Sequence, residues 1–218
     1  MSGQEGDADL VYAITHLEAP PDPPEWWRGA AFYEVYLHSF NDASGDGLGD
    51  LRGVTERLDY ITSLGVDGIW LTPPYASPQD DNGYDVSDFR AIHPPFGTMD
   101  DMNELIAACH DRGLRILLDL VLGHSSDQHP WFEESAASRD GDKADWYVWA
   151  DPAPDGGPPN NWISSFGGRA WRWEPRRAQY CYRPFLRSQP ALNLANQQVM
   201  AEMLDVMRFW LDLGIDGF

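Results

Sequence analysis

Basic residues are scarce in this chain: 15 Lys and Arg stand against 35 Asp and Glu, a formal charge of −20 over 218 residues. Phosphate backbones and anionic lipid surfaces are recognised through Lys and Arg, so the expectation is no nucleic acid and no membrane partner. Cysteine is scarce as well. Cys109 and Cys181 alone cannot build a disulfide framework, and Cys109 falls on the apolar face of an expected helix, where a buried thiol fits. No run reaches the roughly 18 apolar residues of a membrane span. The start, Met1 to Asp7, has neither the positive charge nor the apolar stretch of a secretory signal. These absences together give the expectation of a cytoplasmic protein. The glycine-rich phosphate turn of a doubly wound nucleotide fold is also missing after the first expected strand.

What is present is enough apolar content, 43% of residues, to bury a sizeable core. Residues 1–25 read as a leader ending in Pro20, Pro21, Pro23 and Pro24. A unit then repeats three times: amphipathic helix, glycine, short apolar strand. The first helix is expected over Leu51–Leu64, with Leu51, Val54, Leu58 and Ile61 at helical spacing, then Gly65 and a strand from Val66 to Leu71. The second starts at the N-cap Thr98, ends near Gly113, and leads into a strand over Leu114–Leu120. The third runs from about Asn196 to Gly214, with a strand beginning at Ile215. Adding Phe32–Leu37 makes four strands joined by three crossovers, hence a parallel sheet.

The third crossover carries a long excursion. The expected fold is therefore α/β, the first half of a (β/α)8 TIM barrel (strands 1–4), with a subdomain inserted after strand 3. The expected division is 1–25 leader, 26–124 barrel strands 1–3, 125–195 inserted subdomain, and 196–218 the third helix and the start of strand 4. The insert holds Trp131, Trp146, Trp149, Trp162, Trp171 and Trp173. Such rings stack on sugars, but most are expected to form the core of a small irregular subdomain.

Three constellations carry chemistry. After strand 1, Asp42, Ser44, Asp46 and Asp50 place oxygen donors at alternating positions, with the Leu48 carbonyl between them and Gly47 at the sixth place. That is the first three-quarters of a calcium-loop pattern, so Ca2+ or Mg2+ is expected there in a structural role, with no organic cofactor. The twelfth place is Gly53, where the usual bidentate Glu is missing. After strand 2 comes Asn82-Gly83-Tyr84-Asp85-Val86-Ser87-Asp88, and after strand 3 Asp119 to His124. Polar residues at the mouths of neighbouring barrel strands converge on one ligand.

These segments resemble the α-amylase superfamily, glycoside hydrolase family 13, in its oligo-1,6-glucosidase and α-glucosidase branch. The resemblance runs from about Trp26 to Phe218 and rests on ordered matches. They are Trp26-Trp27-Arg28, Gly47-Leu48-Gly49-Asp50-Leu51, Gly83 to Asp88, Asp119 to His124, Asn160-Asn161-Trp162 and Phe166-Gly167-Gly168. Ser77 to Asn82 looks more like glucosidases than like trehalose-forming relatives.

The resemblance implies a retaining hydrolase for α-glucosidic bonds of short oligosaccharides. In such enzymes an Asp nucleophile and a Glu acid/base, about 5 Å apart, work through a glycosyl-enzyme intermediate. By similarity, Asp85 would hydrogen-bond the glucose hydroxyls, Tyr84 would stack on the ring, His124 would bind the 6-hydroxyl, and Phe166 would wall the pocket. Asp119 would orient the site. The family's catalytic carboxylates follow later than Phe218, so none is expected in these residues. The chain is read as a fragment, inactive alone, whose chief partner is the remaining half of its own fold.

Two departures from the family pattern stand out. Gly123 replaces an Asn that serves a calcium site in amylases, which favours the glucosidase side. Ala191 in Gln189-Pro190-Ala191-Leu192-Asn193 replaces an Asp, which predicts a looser contact between insert and barrel. Alternative readings are a transglycosylase or trehalose-forming isomerase of the same superfamily, and a non-catalytic barrel that binds sugar or a partner.

Overall fold

A computed structural model describes residues 25–218, so the expected leader lies almost wholly outside the described residues. Two units are present, Met1–Ala30 and Ala31–Phe218. In the first, the described turn sets Trp26 edge-on to Trp27 at 5.9 Å, and Arg28 pairs with Glu25.

The second unit is built on a parallel sheet. Strand β1 (Phe32–Val35) pairs with β2 (Gly68–Leu71). Two hairpin strands, β3 (Tyr75–Ala76) and β4 (Asp88–Ile92), come next in the chain, and then β5 (Arg115–Leu118), which pairs with the other side of β2. Beyond β5, Leu117 bridges Gly217 in parallel, where the fourth barrel strand starts. Chain order and spatial order therefore agree, and the sheet grows in one direction only. An open doubly wound sheet would reverse direction at a switch point. The expected half-barrel architecture is what the chain forms.

Alternation along each strand sorts the two faces. Ile69, Leu71, Ile116 and Leu118 are fully buried under the helices. Trp70 and Leu117 point the other way, where with Phe32 and Phe218 they line a concave cavity of about 500 Å³.

The helices follow the apolar periodicity. A single turn, α1 (Leu37–Phe40), ends the first strand earlier than expected, because the Leu37 N–H is taken by Thr72 Oγ1 at 3.1 Å. The first long helix is broken into α2 (Leu51–Glu56) and α3 (Leu58–Ser63). At the break Arg57 N–H bonds Val54 O, three residues back instead of four, a 3₁₀-type tightening, and its Nε donates to Asn41 Oδ1. Helix α4 (Met99–Asp111) opens with a reciprocal capping box between Thr98 and Asp101. Gly65, Gly113 and Gly214, the glycines of the three repeats, all take positive φ, which ends each helix and turns the chain into the next strand.

The insert opens on α5 (Pro130–Ala137), a helix absent from the sequence expectation. It continues into an antiparallel sheet of β6 (Trp149–Ala150), β7 (Trp171–Glu174) and β8 (Gln179–Tyr182), with β8 in the middle. Trp146 and Trp171 are buried, and Trp131 and Trp149 pack against the core, so most of the tryptophans are structural. Trp162 and Trp173 stay exposed. The last helix, α6 (Gln197–Leu213), buries Val199, Met203, Val206 and Trp210. Trp210 lies edge-on to Tyr75 at 5.6 Å and donates Nε1–H to Phe89 O at 2.8 Å, binding α6 to the β3–β4 hairpin. Both cysteines are buried, and burial pushes the Cys109 thiol up to about 12, as expected of an inert core thiol.

Candidate functional site

The polar cluster forms where the sheet ends at β2 and β5, the face on which barrel proteins place their chemistry. Asp119 immediately follows β5, and its backbone N–H continues the sheet by bonding Leu71 O at 3.0 Å. Its Oδ2 accepts from Tyr84 Oη at 2.7 Å, and its carbonyl accepts from Tyr75 Oη at 2.8 Å. Burial raises the Asp119 carboxyl, opposed by hydrogen bonds from Tyr84 and Trp70. Burial likewise raises the Tyr84 phenol, and Asp119 adds to the effect, so Tyr84 keeps its proton and donates. Asp119, expected to orient the site, holds the Tyr84 phenol through this bond.

His124 is buried and lies on the far side of the same loop, with Nε2 2.9 Å from Tyr84 O. A carbonyl only accepts, so Nε2 carries the proton and Nδ1 is left as the acceptor of the neutral ring. Burial holds its pKa below the ordinary histidine value, outweighing the Tyr84 carbonyl and the charges of Asp81 and Asp85. Tyr84 therefore meets both other members of the cluster, through its phenol and through its backbone.

Asp85 does not present itself as expected. It is 0% exposed, and its carboxylate is consumed locally. Oδ1 accepts from Ser77 Oγ at 2.8 Å and Asp81 N at 3.1 Å, and Oδ2 accepts from Asp80 N at 2.9 Å. This carboxylate nucleates the loop and faces inward. The half-buried carboxylate beside Tyr84 and His124 is Asp81, which the sequence reading passed over. Its Oδ2 accepts from Gln189 Nε2 at 2.7 Å, and its Oδ1 takes no hydrogen bond from the described residues.

The insert closes over the cluster from one side. Phe166, 61% exposed on the hairpin between Ile163 and Arg169, packs against Phe185 at 5.6 Å. Phe185, also missed in the sequence, lies edge-on to His124 at 5.1 Å. Phe166 is therefore joined to the cluster through a second ring. Around Ala191, where a looser contact between insert and barrel was expected, the bonds are made by main chain. Ala191 is held by backbone, its N–H bonding Tyr182 O at 2.9 Å and its carbonyl accepting from Val148 N at 3.0 Å, and it bridges His124. Two of these contacts lie within the insert, and the bridge to His124 is the one that reaches the barrel.

The loop after α1 is folded by its own carboxylates. Asp42 accepts from Gly45 N at 2.6 Å and Gly47 N at 2.8 Å, and these bonds hold its carboxyl below the ordinary range. Asp46 accepts from Leu48 N. Asp50 accepts from Ala43 N and Ser44 N, and from Gly53 N at 2.6 Å as the N-cap of α2. The twelfth position has a steric explanation: a Cβ at Gly53 would strike the Asn41 carbonyl, so no Glu fits there. The donors are all hard oxygens, as Ca2+ and Mg2+ require. Among the described residues, however, no three His, Cys, Asp or Glu side chains stand close enough together to hold a metal ion.

A half barrel of parallel strands, with tyrosine, histidine and carboxylates at its C-terminal mouth and an insert after the third barrel strand, defines the first part of a (β/α)-barrel domain. The α-amylase catalytic-domain family matches residues 34–218, and the chain belongs to that family. It is 57% identical to a probable α-glucosidase of Rhizobium meliloti (strain 1021) over 194 residues, 89% of this chain and 35% of that protein. It is 50% identical to an oligo-1,6-glucosidase of Heyndrickxia coagulans over the same shares of both chains. Among solved structures, the α-glucosyl transfer enzyme XgtA superposes with a TM-score of 0.88 at 54% identity, covering 90% of this chain and 37% of that one. The chain thus falls in the α-glucosidase branch and spans about a third of the length of the relatives it matches. No helix among the described residues is long and apolar enough to cross a membrane.

Proposed function

We propose that the whole protein is a retaining α-glucosidase that releases glucose from the non-reducing ends of short α-glucoside oligosaccharides in the cytoplasm. The described residues supply the sugar-holding side of the pocket. The observation that carries this reading is the Tyr84 linkage, phenol to Asp119 and backbone to His124, beside the half-buried carboxylate of Asp81.

In this reading Tyr84 is the platform for the glucose ring, Asp81 and not Asp85 accepts from its hydroxyls, and neutral His124 binds another through Nδ1. Phe166 walls the entrance. The chain spans about a third of its relatives' length, and in this reading the nucleophile and acid/base belong to the remainder of the fold. A Ca2+ or Mg2+ in the first loop would need Asp42, Ser44, Asp46, Asp50 and the Leu48 carbonyl to draw closer together than they stand, and would brace the loop without supplying chemistry to the reaction.

The test is to assay the complete gene product on 4-nitrophenyl α-glucoside and its β-anomer, with the Asp81→Asn and Tyr84→Phe variants beside it. Cleavage of the α-anomer alone, with kcat/KM lowered at least about tenfold in both variants, supports the reading. Cleavage of neither anomer, or full activity in Asp81→Asn, refutes it. Glucosyl transfer is the second reading, favoured by the similarity to XgtA. Disaccharide accumulation exceeding glucose release would establish transfer as the main reaction.

A further inference from the structure

We infer that His38 is a positioning residue for the sugar-facing carboxylate Asp81, acting through the side chain of Gln79. The kinetic part of this inference rests on the α-glucosidase reading, and the structural part does not.

His38 lies in α1, at the mouth of β1, a strand whose Glu34 acts on Tyr84 through its charge. Its backbone is held from two sides. Gly49 N–H donates to His38 O at 2.9 Å, and the preceding residue, Leu37, donates to Thr72 Oγ1. The contact with Gly49 is so close that a Cβ there would strike the Leu37 carbonyl. The ring is wedged as well, stacked on Tyr36 at 5.2 Å and edge-on to Phe96 at 4.8 Å. An imidazole fixed in this way offers one direction, and along it Nε2 lies 2.8 Å from Gln79 Oε1.

That bond is isolated. His38 Nδ1 and Gln79 Nε2 are both buried and have no other partner among the described residues, so each side chain's hydrogen bonding depends on the other. Losing a buried bond of this kind is costly, and so close a tie between the two side chains calls for a role. The backbone of Gln79 supplies one. Its φ is +69°, in the left-handed region that side chains rarely adopt, and its N–H is tied to Ser77 Oγ at 2.9 Å. The two residues that follow aim their N–H groups at Asp85, Asp80 at 2.9 Å and Asp81 at 3.1 Å. The left-handed turn at Gln79 therefore sets where the Asp81 main chain lies, and Gln189 then fixes its side chain. Among the described residues His38 makes no hydrogen bond or ring contact with Tyr84, Asp119, His124 or Asp81, so the route from it to the cluster runs through this turn.

Two experiments test the inference. In the complete enzyme, His38→Ala should raise KM for 4-nitrophenyl α-glucoside about tenfold with kcat within about twofold, and should add less than about twofold in an Asp81→Ala background. His38→Gln, which returns an N–H to Gln79 Oε1, should recover most of the loss. Additive losses in the double variant, or no recovery with Gln, would overturn the inference. In the complete protein, with or without activity, His38→Ala should speed hydrogen exchange of the Asp80 and Asp81 amides about tenfold, while the strand amides of Ile69 and Ile116 stay as protected as in wild type. Unchanged exchange at Asp80 and Asp81 would overturn it whatever the enzyme cleaves. If the complete enzyme cleaves no α-glucoside, the proposed function fails and the exchange result still decides the role of His38.

Discussion

Acid should destabilise the inserted subdomain at a pH where its carboxylates are still ionised, and His129 is the reason. This histidine caps α5 with Nδ1, which accepts the Trp131 N–H at 3.1 Å. The ring is buried, 5.4 Å from Phe89 and 4.2 Å from Trp131. Burial pushes its pKa down to about 4, with Asp88 opposing and Arg90 reinforcing the effect. Protonation would also turn the capping acceptor into a donor that faces another donor. An unfolded histidine titrates near 6.5, so between about pH 6.5 and 4 the unfolded chain holds the extra proton. Stability is therefore fully present above that window and is lost as the pH falls through it. Integrating the difference from pH 7 to pH 5 gives a loss of about 2 kcal/mol from this one group.

The comparison protein is His129→Asn, whose side-chain oxygen still caps the helix but does not titrate. Burial also holds His93 and His124 low, but they are unchanged in both proteins and cancel. Urea unfolding followed by tryptophan fluorescence at pH 7, 6 and 5 should show wild type losing about 2 kcal/mol more than the variant. Parallel pH dependences in the two proteins would refute the argument.

Three other outcomes are expected. Gly53→Ala pushes a methyl into the Asn41 carbonyl at the first turn of α2 and should cost about 2 kcal/mol; an unshifted urea midpoint would remove the steric account of that glycine. Trp210→Phe keeps a ring against Tyr75 but strands the buried Phe89 carbonyl, for a loss of about 1–3 kcal/mol by the same assay, and a smaller one would mean the carbonyl finds another donor. If the Asp42–Asp50 loop holds Ca2+ or Mg2+, chelation should lower the melting temperature of the complete protein and added Ca2+ should restore it. An identical melt with and without chelator would rule the cation out.

The three helix–glycine–strand units were legible because they announce themselves locally. Periodic apolar residues, a cap such as Thr98 and a left-handed glycine are all properties of neighbouring residues. What was not legible depends on distant partners. The break at Arg57 answers to Asn41, and α5 begins on a histidine cap that no ordinary capping rule suggests. The β3–β4 hairpin hides in strands as short as Tyr75–Ala76. The site divides along the same line. Tyr84, Asp119 and His124 were named through the family resemblance of segments at strand mouths, and they do come together. Asp85 and Asp81 are the same chemical group four residues apart, and only the three donors converging on Asp85 separate the inward carboxylate from the outward one. Gln189 and Phe185 were reachable from the segment around Ala191, had its role been sought in the residues beside the alanine.

The agreement between chain order and sheet order bears on how the protein is made. Each parallel strand docks on the edge left by the one before, so β2 can pair with β1, and β5 with β2, as soon as each emerges during synthesis. The next pairing, Leu117 with Gly217, waits for the whole insert. At roughly 5–20 residues per second that wait lasts several seconds or more, during which the free edge of β5 has no strand beside it. The insert's own attachments, Ser126 N to Val86 O and the His124–Ala191 bridge, fall within that interval. The mouth of the Tyr84 cluster is thus shaped before its fourth barrel strand arrives, and the nascent chain passes a vulnerable edge while that cluster is already set.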